Sequence, residues 1–330
     1  MNERLSLLRG RKDTRLKATL RGLIPPFVQL VALYATFVLV APLLPSKANA
    51  TMSTQQAAVV ALVLSVGVAA SAGVACAVSG WLDQREFASF GSILSRVSLQ
   101  EFGGGLLVGM LAAVSAVAYL VIGGNARLAT TPTEVGTRST SFLFIAAVLL
   151  YLTVNVVSEE LIFRRIVLGN FVEGLTSRSL DQRYVALLAV AASALVFGVW
   201  HPISPGAGGG IDTVLTSAGV GVLLGTAYLL SGRLSFPVGI HLGGGLVLVT
   251  LTQQQLFGYA LPTVVELEQL TGGPEVTYGI LFARVASGLC LVCLWVYLTR
   301  GKLSFDDRVF SQETKANDPR KSRNPTAGND

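Results

Sequence analysis

Eight apolar runs, each long enough to cross a bilayer, organise this chain, at roughly residues 23–45, 57–82, 104–124, 141–163, 184–203, 213–231, 237–256 and 277–299. A hydrocarbon core about 30 Å thick needs about 20 apolar residues of helix. In lipid, the backbone polar groups of such a segment must be satisfied within it. The pattern therefore predicts an all-α fold, a polytopic transmembrane helical bundle of about eight spans. Hydrophobic residues make up 52% of the chain and charged residues 13%, with a mean hydropathy of +0.61. Soluble domains carry about a quarter charged residues, and the connecting loops leave no room for one.

The charges are unevenly placed. With the N-terminus in the cytoplasm, 21 of the 25 Lys and Arg fall on the inner side. Lys47, Arg127 and Arg138 fall outside, and Arg284 lies within the last run. The positive-inside rule then predicts N-in and C-in. The net charge of +6 reads as a topology signal, with membrane lipids as partners and no nucleic acid. Ala48-Asn49-Ala50 resembles a signal-peptidase site, but the apolar run before it exceeds the usual 7–15 residues, roughly, of a signal peptide. The first run is read as a retained span.

The chain's two histidines, His201 and His241, both lie inside apolar runs, and a third run carries the acid pair of Ser158-Glu159-Glu160-Leu161-Ile162-Phe163-Arg164. Ionisable groups at membrane depth are costly, so three such segments point to one buried polar site. On a helix Glu160 and Arg164 share a face in the favourable acid-before-base order. Glu159 is rotated about 100° from Glu160 and is predicted to face the bundle interior. For Glu159 to reach mid-membrane, the fourth helix must run on to about residue 172. His201 precedes Pro202, which disfavours α geometry, so His201 is predicted at a helix end where the backbone opens. Gly243, Gly244 and Gly245 either let a neighbouring helix approach or leave room for a ligand; Gly221 and Gly225 read as packing.

Amide hydrolysis needs an activated water, a base and a donor for the carbonyl oxygen. Glu159 can serve as base and then acid, His201 can orient the water, and His241 can bond the oxyanion. The same three side chains could instead hold Zn²⁺. The HExxH signature is absent, so the cofactor is left open between zinc and none.

Glu-Glu-x-x-x-Arg, then Phe-x-x-x-His, then a later His in an apolar helix resembles the motif order of the CAAX-protease and bacteriocin-processing (CPBP, or Abi) family of intramembrane endopeptidases. The resemblance implies catalytic roles for Glu159, His201 and His241, with Glu160 and Arg164 in support. Gly245 stands where that family usually has Asn or Asp, four residues after the last histidine. Asn155, one turn before Glu159, is a candidate substitute donor. The alternative reading is a non-catalytic membrane scaffold or bacteriocin self-immunity factor using the same cavity. A proton-coupled transporter is a third, without the internal repeat of broken helices such proteins show. On the protease reading the substrate is a peptide or protein, and the location is the plasma membrane. The domains are then a basic cytoplasmic arm (1–22), N-terminal transmembrane helices (23–139), a catalytic core (140–256), a loop and last transmembrane helix (257–299) and a disordered cytoplasmic tail (300–330).

Overall fold

The computed structural model describes residues 15–44, 53–84, 95–128, 138–205, 209–251, 255–256, 259–260 and 267–310. The Ala48-Asn49-Ala50 sequence, the first fourteen residues and residues 311–330 lie outside them. The chain is a polytopic helical bundle, and an integral multi-pass membrane protein. Its helices are α1 (Ala18–Val40), α2 (Thr54–Asp83), α3 (Arg96–Ile122) and α4 (Arg138–Glu160). α4 runs through π-helical turns at Leu161–Leu168 directly into α5 (Gly169–Thr176). Then come α6 (Gln182–Ile203), α7 (Ile211–Ser231), α8 (Ser235–Leu251), α9 (Pro274–Arg300) and the short α10 (Asp307–Phe310). Local chemistry sets several ends. Ser53, Ser95 and Asp181 accept from first-turn amides of α2, α3 and α6, and left-handed Gly232 and Gly301 close α7 and α9.

Among the described residues, seven helices are long and apolar enough to cross a membrane. The run expected at 237–256 forms the shorter α8 instead. At 17 residues it is about 25 Å long, and it lies along α3. Large apolar side chains such as Phe27, Phe142 and Phe282 point out of the bundle, as lipid contact requires. Two small antiparallel ribbons stand outside the helices, one pairing Ala126–Leu128 with Leu267–Gln269 and the other Gln255–Leu256 with Tyr259–Ala260.

Glycine contact sets the α3–α8 spacing. A β-carbon on Gly105 or Gly109 would strike the α8 backbone at Phe236 or Ile240, and one on Gly239 or Gly243 would strike α3 at Phe102 or Leu106. The two GxxxG faces are thus reciprocal, and backbone meets backbone. Gly198, Gly221 and Gly225 pack α6 against α7 in the same way, against Ala218, Ala194 and Val190.

The charges counted as topology signals partly fold inward. Arg21 pairs with Asp83 and with Glu173 (2.8 Å), and Arg15 also reaches Glu173 (2.9 Å). These two arginines belong to a buried cluster. The tail is also ordered further than its composition implied. Val309 is buried among Phe305, Phe310 and Tyr228. Arg300 donates to Asp306 (2.9 Å), Glu101 (3.1 Å) and the carbonyls of Leu230 and Ser231. Three apolar side chains and this ionic latch outweigh the polar composition of residues 301–310.

Two outcomes are expected. Gly109→Val should cost about 1–3 kcal/mol, as overpacking against immobile backbone does, read as a lower unfolding midpoint of the purified protein. Burial pushes the Asp306 carboxyl up, but hydrogen bonds from Arg308, with its charge, and from Arg300 outweigh this and hold it at about 2. A depressed carboxyl stabilises above its unfolded value of about 3.9 and loses that contribution as pH falls through the folded value. Hydrogen exchange at residues 301–310 should therefore rise only as pH drops from about 4 toward 2, and Asp306→Asn should raise it already at neutral pH.

Candidate active site

Glu159 and Glu160 end the regular part of α4, where the π turns begin. Phe142–Thr176 is one continuous apolar helix, so Glu159 lies near its middle, as the expected extension required. The wider turns after Glu160 carry Ile162, Phe163, Arg164, Ile166, Val167 and Leu168 into the core. π turns recur at functional sites.

Glu160 and Arg164 are both fully buried, with Oε2 and Nε 3.0 Å apart. The contact is ionic, without the alignment of a hydrogen bond, and the Arg164 terminal nitrogens have no hydrogen-bond partner among the described residues. Instead the guanidinium lies 4.6 Å from the Phe197 ring centre, a cation–π contact. The other Glu160 oxygen lies 2.9 Å from His241 Nδ1. A carboxylate only accepts, so Nδ1 carries the hydrogen and donates. His241 Nε2 is thereby aimed at Glu159 Oε2, 3.8 Å away, beyond hydrogen-bond reach. Glu159 Oε1 accepts from Asn155 Nδ2 at 2.8 Å, the i,i−4 neighbour on the same face. A tied carboxylate, an imidazole and a second carboxylate with one free oxygen thus stand in a row.

His201 is placed differently. It lies in the last turn of α6, at the expected helix end, although the helix carries on through Pro202 to Ile203 and the backbone opens only at Ser204. The last turn is closed by Ser204, whose amide donates to the His201 carbonyl and whose hydroxyl donates to the Trp200 carbonyl. The His201 ring donates from Nδ1 to the Phe197 carbonyl at 2.8 Å. In the neutral ring this leaves Nε2 as an acceptor. Phe197 packs against both imidazoles, its centre 4.5 Å from the His201 ring and 6.2 Å from the His241 ring, steeply inclined to both. The imidazoles can lie no further apart than those two distances laid end to end, but His201 makes no ion pair with either glutamate.

The remaining expected residues fall around this row. Asn155, the candidate donor for a substrate oxygen, spends its amide on Glu159. A β-carbon on Gly245 would meet the Leu152 methyls at 3.3 and 3.5 Å, so the position faces α4 one turn beyond His241. Among the described residues, no three His, Cys, Asp or Glu side chains are placed to hold a metal ion. As arranged, Glu159, His201 and His241 do not fit zinc.

Sequence reasoning missed Phe197 as the ring that touches both histidines, although it stood in the Phe-x-x-x-His motif. It also missed Gln29 of α1, buried, which donates to Ser158 at 2.6 Å beside the acid pair. No local signal marks that long-range contact.

Residues 141–247 match the family model described as type II CAAX prenyl endopeptidase Rce1-like. The matched segment, about a third of the chain, contains Asn155, both glutamates, Arg164, both histidines and Gly245. No curated protein and no solved structure matches the chain.

Breaking the buried pair should be costly. Arg164→Met should destabilise by about 3–5 kcal/mol, because it leaves a carboxylate buried without its cation. Adding Glu160→Gln should return most of that loss. Strictly additive losses in the unfolding midpoint would contradict the pairing.

Proposed function

We propose that this Rce1-like segment works as an intramembrane endopeptidase in which Glu159 activates water against a peptide bond near the membrane. The observation that carries the reading is the row Arg164–Glu160–His241–Glu159. Arg164 and His241 commit Glu160, and Asn155 fixes the rotamer of Glu159 while leaving Oε2 free. A water between Glu159 and the His201 side would lose its proton to Glu159 Oε2, and its oxygen would attack the carbonyl carbon. The π electrons of the carbonyl move onto its oxygen. Collapse then breaks the C–N bond, and Glu159 returns the proton to the leaving amine. His201 accepts a hydrogen bond from the water at Nε2 and so orients it. His241, held by Glu160, keeps its Nε2 edge toward the reacting atoms.

The same reading places the N- and C-termini in the cytoplasm, the protein in the plasma membrane and residues 140–256 as the catalytic unit, with a peptide or protein as substrate. Gly245 supports a second reading, a scaffold or self-immunity protein binding a peptide without cleaving it, since the position has no side chain to donate to an oxyanion.

Protein reconstituted in lipid should cleave members of a broad peptide library. Glu159→Gln should lower kcat by about 10²–10⁴, the usual loss for a general base, and Asn155→Ala should lower it less. Peptide binding without cleavage in wild type would favour the scaffold.

A further inference from the structure

Arg284 is the one cation that the topology count leaves inside a span, and it lies outside the segment that carries the family match. It sits on α9 near the middle of the helix. Its guanidinium reaches α8: a β-carbon on Gly244 would lie 2.6 Å from Nη2 and 3.5 Å from Cζ. The guanidinium therefore occupies the space of the missing Gly244 side chain. Gly244 and Gly245 flank the His241 direction one turn along α8, by about 60° and 40° on either side.

The other arginines in comparable settings are paired. Arg21 holds Asp83 and Glu173, Arg164 holds Glu160, and Arg300 holds Glu101 and Asp306. Arg284 has no hydrogen bond or ion pair among the described residues. An unpaired cation at membrane depth is costly enough that a functional partner is the default expectation. The site meanwhile offers substrate no ready donor of its own, because the unbonded Arg164 nitrogens are fully buried against the Phe197 ring. Asn155 serves Glu159, His241 Nδ1 serves Glu160, and the neutral His201 ring turns an acceptor outward. Peptide hydrolysis needs a donor about 2.7–3.1 Å from the oxygen that becomes negative.

We infer that Arg284 is a catalytic residue, its guanidinium donating from α9, through the notch left by Gly244, to the carbonyl oxygen of the scissile peptide as that oxygen takes up negative charge. The inference rests on the endopeptidase reading. It explains how the site works with glycine at 245: the donor comes from another helix, and its planar fork offers hydrogen bonds together with full charge. No bond to Arg284 forms or breaks, and its charge is unchanged through the reaction.

The test uses full-length protein in lipid nanodiscs and a peptide that wild type cleaves. A donor that acts only on the transition state changes kcat and spares KM. Arg284→Met should lower kcat by about 10²–10³, the loss typical of one oxyanion donor, with KM nearly unchanged. Arg284→Lys should fall between. Gly245→Asn in the Arg284→Met background should restore part of the rate once Leu152 shifts by a few tenths of an ångström. Undiminished kcat in Arg284→Met, or a loss wholly in KM, would overturn the assignment while leaving the endopeptidase reading intact. A binding readout stands apart from turnover. In Glu159→Gln protein, Arg284→Met should weaken a tetrahedral phosphinate analogue of the peptide far more than the peptide itself, and equal weakening would contradict the role. If wild type neither cleaves nor binds any peptide, the endopeptidase reading falls, and the role of Arg284 falls with it.

Discussion

Glu160 is a carboxylate with no exposed surface inside a membrane protein, and the rest of the site answers to that burial. Ions taken out of water lose several kcal/mol of solvation each, roughly, and recover it only through close and well-placed partners. Arg164 supplies the countercharge and His241 supplies the hydrogen bond. Phe197 then lies beneath the guanidinium and packs against both imidazoles. Because Glu160 is spent in this way, the adjacent Glu159 is the carboxylate left with a free oxygen.

The row depends on helix spacing more than on the site's own bonds. His241 reaches Glu160 because α8 lies against α3 at backbone contact, through Gly105, Gly109, Gly239 and Gly243. The association of apolar helices in lipid is driven by close packing and not by hydrophobic burial. A side chain at any of these four positions would move α8 as a body and carry the imidazole with it. The three consecutive glycines of α8 thereby divide their work. Gly243 admits α3, Gly244 admits the guanidinium of Arg284, and Gly245 leaves only contact with Leu152. The choice between close approach and room for a ligand, open in the sequence, is answered separately at each position.

What the sequence made legible follows from the range of the interactions involved. The acid pair, Arg164 and His241 were readable because ionisable groups are rare in apolar runs and because four-residue spacing fixes a shared face. The extension of the fourth helix was readable from the depth that Glu159 needed. The π turns after Glu160 were not, since Leu161–Leu168 carries no composition that separates an i→i+5 from an i→i+4 bond. The local rule about residues before proline failed at His201, where the last turn of α6 closes around Ser204. That Arg15, Arg21 and Arg300 are paired was not readable, because their partners Asp83, Glu173 and Glu101 come from distant parts of the chain. Only tertiary contact brings these pairs together.

The central claim, that this row of side chains hydrolyses a peptide bond with water activated by Glu159, is tested most directly by isotope incorporation. Reconstituted protein is given a cleavable peptide in water enriched in heavy oxygen, and the products are weighed by mass spectrometry. The account predicts a single heavy oxygen in the new C-terminal carboxylate with wild type, and the same product formed about 10²–10⁴ more slowly with Glu159→Gln. Labelled product at an undiminished rate from Glu159→Gln protein would contradict it.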